Sequence, residues 1–360
     1  MKMRNKSKYI IINGDKHPVQ EINGILKLYG QKYLSLFKDS NSLEKYDKVP
    51  INSCNGRKTT EIEIPNNLKH LTQIEIKYTN LTSVNSIVGL NKLKKLEDLV
   101  LGNNRISTMK GIEQLTGLIG LDFGKTKMIG LDEYAASQNV ELQNNTISKI
   151  EGLENLTRLT TLGLDGNRIV EMTGFENLKK LEGLNLSENK IKEIQGLENL
   201  KNLKALVLDN NKIKEIKGLD NLTNLERLYL SHNQITEIKG LENLTKLETL
   251  YLSHNQIEEI KNLESFSLSE LYLDHNRIQK IENLETHGDL WRADFSSNQI
   301  ESLDNLRAYP ELLKQWARFW DCFILEDNPV QEWAEKEYGK ITVFGDPGYI
   351  FRDLLRRVVP

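Results

Sequence analysis

The chain has 360 residues, of which 28% are charged, 38% hydrophobic and 7% aromatic. Length alone suggests two or three globular domains, but so few large side chains point instead to an elongated fold with a thin core. A formal net charge of -3 and a pI near 6.2 argue against a general polyanion binder, so neither nucleic acid nor a membrane surface is expected as partner.

The amino terminus, Met1 to Lys8, is basic, and the apolar run behind it, Tyr9 to Ile12, is too short for a signal-peptide core. No stretch approaches the roughly eighteen apolar residues that span a bilayer. Cys54 and Cys322 lie far apart in sequence, which fits neither a disulfide framework nor a zinc cluster. A reducing, cytoplasmic location is expected. Residues 1–70 admit two readings. In one, Leu26, Leu28, Tyr33 and Leu36, then Leu43, Tyr46, Val49, Ile51 and Cys54, form degenerate repeats. In the other, a Tyr9 to Ile12 strand precedes an amphipathic helix over Pro18 to Phe37. Either arrangement would cap residues 71–311.

Self-similarity governs residues 71–311. One copy reads Leu181, Leu184, Leu186, Asn189, Ile191, Ile194, Gly196, Leu197 and Leu200. Copies begin at Leu159, Leu181, Leu203, Leu225 and Leu247 with a constant spacing of 22 residues, and Leu268 and Leu290 continue after a one-residue deletion. Looser copies begin at Leu71, Leu96, Leu118 and Ser137, with Thr79 and Thr126 in place of the asparagine. Alternation at Leu184-Asn185-Leu186 predicts a short strand with both leucines inward, and the subsequent steps of three predict a 3₁₀-like or extended return. A single coil of this kind buries too little to fold alone, so stability belongs to the stack.

Asn145, Asn167, Asn189, Asn211, Asn233, Asn255, Asn276 and Asn298 share the position where the chain leaves the strand. An amide donates and accepts at once, so these asparagines are expected to form a buried ladder on turn backbones rather than a polar binding face. Gly111, Gly152, Gly174, Gly196, Gly218 and Gly240 share a turn position that passes to Asn262, Asn283 and Asn305. Both residue types tolerate positive φ, so this is turn chemistry and not a phosphate loop.

The motif resembles leucine-rich repeats. Its Gly-Leu-Glu-Asn-Leu turns at Gly152, Gly196 and Gly240 look like the 22-residue class typified by the leucine-rich-repeat regulatory subunit of protein phosphatase 1. The resemblance implies an α/β-type repeat solenoid, a curved horseshoe with a parallel sheet on its concave face and 3₁₀ or extended segments on its convex face. Bacterial internalins share the period, but their turns carry Asp-Ile-x-Pro-Leu where this chain has Glu215-Ile216-Lys217-Gly218-Leu219. With no signal segment recognised, that departure argues against a surface adhesin.

Residues 312–360 read as a last repeat and a cap. Trp320, Phe323, Leu325, Asn328 and Val330 fit the motif after an excess around Leu312 to Phe319. Asn328-Pro329-Val330 resembles the start of the family's carboxyl-terminal caps, and Gln331 to Tyr338 reads as helix behind it. Trp316, Trp320 and Trp333 are assigned to capping.

Function is expected on the variable strand positions. The position between the strand leucines carries Asp122 and Glu141, joined two places further on in their repeats by Asp165 and Asp209, in the earlier copies. It carries Tyr229, Tyr251, Tyr272 and Asp294 in the later ones, flanked by Arg227, Trp291 and Arg292. Tyrosine, tryptophan and arginine are the usual interface anchors, so the later patch is the expected partner site. The competing reading makes the tyrosines sheet packing at strand spacing. His232, His254 and His275 form a second column, which a repeated turn produces without any metal, and no metal is assigned.

Gly124-Lys125-Thr126 lacks the upstream glycine of a phosphate loop, and Asp122-Phe123-Gly124 stands without any other kinase element. Asn-Leu-Thr at Asn155, Asn221 and Asn243 is the repeating turn and not a glycosylation signal. The sequence therefore reads as a monomeric, non-enzymatic protein without cofactor that binds another protein on its concave face. One concrete version, implied by the resemblance, docks a serine/threonine phosphatase. An internalin-like adhesin and a hydrolase using the histidine column are the alternatives.

Overall fold

A computed structural model describes residues 9–12, 15–18, 25–30, 49–51, 61–125, 144–305, 309, 323–325 and 327–330. Its backbone divides into two compact units, Met1–Asn189 and Lys190–Pro360. Among the described residues both are parallel-sheet solenoids with almost no helix.

In the first unit, β1 (Tyr9–Ile12) and β2 (Asp15–Pro18) form an antiparallel hairpin with Ile12 opposite Asp15. Ile10 and Ile12 are fully buried. The strands β3 (Ile25–Gly30) and β4 (Val49–Ile51) come next, followed by β5 (Ile62–Glu63), β6 (Gln73–Lys77), β7 (Ile87–Val88), β8 (Asp98–Val100) and β9 (Gly120–Asp122). β10 (Thr161–Gly163) and β11 (Gly183–Asn185) complete it. One sheet runs β2-β1-β5-β7, and the main parallel sheet runs β4-β3-β6-β8-β9-β10-β11.

Two features depart from a simple solenoid. The strand over Ile25–Gly30 excludes a helix through those residues, and it lies between β4 and β6 instead of preceding both. β3 and β4 therefore do not stack in chain order. The second departure concerns the copy expected at Ser137, whose strand would carry Glu141 between β9 and β10. β9 and β10 pair directly, Leu121 with Leu162 and Asp122 with Gly163. Asn145 completes the repeat that Leu118 begins, because its Nδ2 donates to Phe123 O (2.9 Å) as Asn189 does to Leu186 O (3.0 Å). Asn145 follows Phe123 by 22 positions where Asn189 follows Leu186 by 3, so 19 residues are inserted inside one repeat. The expected Ser137 copy and the Thr126 ladder position are thereby corrected. Glu141 lies in that insertion, within residues 126–143, outside the described residues.

In the second unit, β12 (Ala205–Val207), β13 (Arg227–Tyr229), β14 (Thr249–Tyr251), β15 (Glu270–Tyr272), β16 (Arg292–Asp294) and β17 (Phe323–Ile324) are parallel neighbours in that order. Each of the three-residue strands buries its central side chain, Leu206, Leu228, Leu250, Leu271 or Ala293, at 0% exposure. Its two flanking residues stay on the other side, as a period of two requires. The return runs in steps of three, with Leu200 N–H donating to Leu197 O (3.0 Å) and Leu203 N–H to Leu200 O (2.9 Å). Those 3₁₀-like turns put Ile213, Ile216, Leu219 and Leu222 into the core behind the strands, all nearly or fully buried.

At the far end, Leu325 and Val330 are buried and Asn328 takes the ladder position, accepting from Ile300 N–H at 3.0 Å. Trp316, Trp320, Trp333 and the stretch read as helix from Gln331 lie outside the described residues.

Candidate interaction surface

The asparagine ladder holds the strand ends in register, and each rung works in the same way. Asn233 Oδ1 accepts from Ile213 N–H (3.0 Å), while its Nδ2 donates to Leu208 O (3.0 Å), Leu230 O (3.1 Å) and Ser231 O (3.3 Å). One amide thus joins two adjacent repeats, which is why aspartate or leucine cannot replace it. Asn145, Asn167, Asn189, Asn211, Asn255, Asn276 and Asn298 are likewise at most 8% exposed. The ladder is longer than expected from sequence. Asn104, at 0% exposure, bonds Ile76 O (2.7 Å) and Leu101 O (2.9 Å) and accepts from Thr79 N–H (3.0 Å).

With the strands so held, the outward positions of the second unit line up in columns. Arg227, Thr249, Glu270 and Arg292 are in register, as are Tyr229, Tyr251, Tyr272 and Asp294. The tyrosine rings form a continuous strip: Tyr229 to Tyr251 centroids lie 4.8 Å apart, tilted by 40°, and Tyr251 to Tyr272 centroids lie 4.1 Å apart, tilted by 22°. The Arg292 guanidinium sits over the Tyr272 ring, 5.4 Å from its centroid. Tyr251 O–H donates to Glu270 Oε2 at 3.1 Å. All three phenols are held above their usual pKa, first by burial. At neutral pH the strip is an uncharged, half-buried aromatic surface edged by arginines. Trp291, one residue before Arg292, is 43% exposed.

Three residues beyond the tyrosines, the imidazoles of His232, His254 and His275 stack, with centroids 4.1 and 3.9 Å apart. All three sit at positive φ, between 53° and 55°. Burial first, then the neighbouring imidazoles of His232 and His275, lower the pKa of His254.

In the first unit the acidic positions behave differently. Asp122 accepts from Gly124 N–H (2.7 Å), and Asp165 accepts from Asn185 Nδ2 (3.1 Å). A Cβ on Gly124 would lie 2.0 Å from Asp165 Oδ1 and 3.0 Å from Asp122 Oδ1, so the glycine makes room for both carboxylates. Burial, and then the charge of Asp122, push Asp165 up to about 6. Asp209, in the second unit, accepts from Ser231 N–H at 2.7 Å and so stabilises a strand end. Asp122, Asp165 and Asp209 are therefore tied into backbone and neighbouring side chains.

On the returning segments, Lys217, Lys239 and Lys261 pair with Glu193, Glu215 and Glu237 of the preceding repeat at 3.1, 3.9 and 3.1 Å. These exposed pairs contribute little to stability. Among the described residues no helix is long and apolar enough to cross a membrane.

The family model for leucine-rich repeats matches twice, over residues 179–221 and 223–265. The chain carries leucine-rich repeats. The two matches fall on the most regular copies. The repeat fold extends well beyond them: an internalin from Listeria monocytogenes is similar over 78% of this chain and 82% of its own, with a TM-score of 0.59 and 24% identity. A leucine-rich-repeat protein from Leptospira interrogans is similar over 80% and 81%, at a TM-score of 0.53 and 22% identity. The leucine-rich-repeat ectodomain of an Arabidopsis thaliana membrane receptor kinase, solved in complex with Casparian strip integrity factor 2, is similar over 79% of this chain and 39% of its own, at a TM-score of 0.50 and 23% identity. At these identities the likeness is one of fold. No curated protein matches the sequence.

Within the leucine-rich repeats, sequence reading passed over His287. It occupies a leucine position, is 0% exposed, and accepts from Leu268 N–H through Nδ1 at 3.1 Å. Its signal was present: a histidine in a leucine column, in the copy directly after the one-residue deletion.

Proposed function

We infer that this protein is a non-catalytic scaffold that docks a partner protein on the outward strand face of its second unit, centred on Tyr229, Tyr251 and Tyr272. The observation that carries this reading is the unbroken aromatic strip, half-exposed and uncharged at neutral pH, with the Arg292 guanidinium on one of its rings. Such a strip offers large contact area at low conformational cost and rigid anchors for a partner's apolar side chains. Leucine-rich repeats supply the platform, since solenoids present extended surfaces built from variable strand positions. Arg227, Trp291, Arg292 and Asp294 would form the rim.

The test compares proteins captured from source-cell lysate by the full chain and by a Tyr229→Ala, Tyr251→Ala, Tyr272→Ala variant, with unfolding curves as a control for folding. A partner held by the first and lost by the folded variant supports the reading. Equal capture by both makes the tyrosines sheet packing and overturns it. Docking of a serine/threonine phosphatase is the narrower form that the resemblance in repeat class implies, and a phosphatase catalytic subunit in the eluate is its specific test.

A further inference from the structure

We propose that His254, Asp274 and His275 form a binding site for a divalent transition ion of the zinc class. One ligand atom from each residue lies within 4.8 Å of the others. The carboxylate stands at the centre: its Oδ2 is 3.1 Å from His275 Nδ1 and 4.0 Å from His254 Nε2. Bond lengths of about 2.0 Å with near-tetrahedral angles place donor atoms roughly 3.3 Å apart. The Asp274 and His275 pair already meets that spacing, and the exposed His254 ring closes the remainder by side-chain rotation. Parallel rings direct their lone pairs along parallel lines, so binding must turn one imidazole out of the His254 and His275 stack.

The supports are built in. Ser253 Oγ donates to Asp274 Oδ1, which fixes the carboxylate and leaves Oδ2 to the two rings. The ligand backbones are anchored in the sheet ends, His254 N–H to Asp274 O and His275 N–H to Ser296 O, both at 2.9 Å. The repeated turn explains the histidines but not the acid. Ser231 and Ser253 precede His232 and His254, whereas His275 alone is preceded by an aspartate, and that aspartate faces two imidazoles. Two nitrogens and one carboxylate oxygen suit zinc, nickel or copper and not calcium or magnesium, which require a shell of oxygens. Three protein ligands leave a coordination position open to solvent.

The test uses the full chain without an affinity tag, stripped of metal, titrated with zinc chloride by calorimetry. Cobalt supplies a second readout through its visible absorption on tetrahedral binding. One equivalent should bind. Asp274→Ser, which recreates the residue of the preceding repeats, and His254→Ala should each weaken binding by about tenfold or more with unchanged unfolding curves. Calcium and magnesium should give no signal. Absence of stoichiometric uptake, or affinity unchanged in both variants, overturns the site.

Discussion

The backbone N–H of Leu268 donates to Nδ1 of His287 across 3.1 Å. In the regular turns the equivalent leucine donates to the carbonyl three residues before it, as Leu225 does to Leu222 and Leu247 to Leu244, both at 2.9 Å. The one-residue deletion shortens that step to two between Phe266 and Leu268, so the N–H loses its carbonyl. The next repeat compensates by placing an imidazole where the motif has leucine. Accepting at Nδ1 requires the neutral ring with its hydrogen on Nε2, which is buried without a partner among the described residues.

That contact makes the second unit sensitive to acid. Burial lowers His287 to about 4 against an ordinary value of 6.5, while Glu264 and Glu285 pull weakly the other way. The unfolded chain takes up this proton below 6.5 and the folded chain only near 4, so stability is lost as pH falls through that interval. The loss should reach about 3 kcal/mol. His287→Leu should cost about 1–3 kcal/mol at pH 7, because Leu268 N–H is orphaned. Urea unfolding of both proteins from pH 7 to pH 4 should show the two curves converging.

Asp165 is expected to act with the opposite sign. Its folded value of about 6 exceeds the ordinary 3.8, so the folded state holds a proton that the unfolded state has released. Stability therefore falls as pH rises from about 4 to about 6 and stays lower at neutrality. Asp165→Asn keeps an acceptor for Asn185 and removes that charge. It should raise stability by about 1 kcal/mol at pH 7, a figure reduced for solvent screening, and change little at pH 4. Thermal melts at the two pH values check this.

Asn211 tests the ladder. Its Oδ1 accepts from Ile191 N–H (3.0 Å), and its Nδ2 donates to Leu208 O (3.0 Å) and Asp209 O (3.2 Å). Asn211→Ala should destabilise by about 1–3 kcal/mol through unpaired turn groups. An unchanged urea midpoint would remove the argument for a structural ladder.

Gly240 has φ of +71°, and a Cβ there would lie 2.6 Å from Ile216 O. Gly240→Ala should cost about 1–2 kcal/mol from the left-handed conformation alone, with the carbonyl clash added. Gly183 is the control, since its Cβ would meet only Thr161 Cγ2 at 3.8 Å. Gly183→Ala should change stability by less than about 0.5 kcal/mol. The two melting temperatures separate turn geometry from a general effect of alanine.

At the tyrosine strip, sequence order translated directly into space. Tyr229, Tyr251 and Tyr272 hold one repeat position, and parallel pairing in register stacks whatever side chains that position carries. The same rule made the leucine core, the Asn211 rung and the His232, His254 and His275 column legible, because a solenoid converts a linear period into contact between neighbours. Where the period broke, linear reading failed. Spacing alone placed Glu141 in the sheet, but β9 pairs directly with β10 and Asn145 closes the repeat from beyond the insertion. Stacking in chain order would put residues 49–51 next to β6, but β3 lies between them.

The repeated sequence by itself determined the solenoid, its buried leucines, its asparagine ladder and the columns of its outward face, since each arises from local period and side-chain chemistry. Only tertiary structure decided which strands pair across an insertion, that His287 replaces a missing carbonyl, and that Asp274 faces two imidazoles. Those relationships depend on distances between residues of different repeats, which a one-residue deletion or a 19-residue insertion changes without altering the motif.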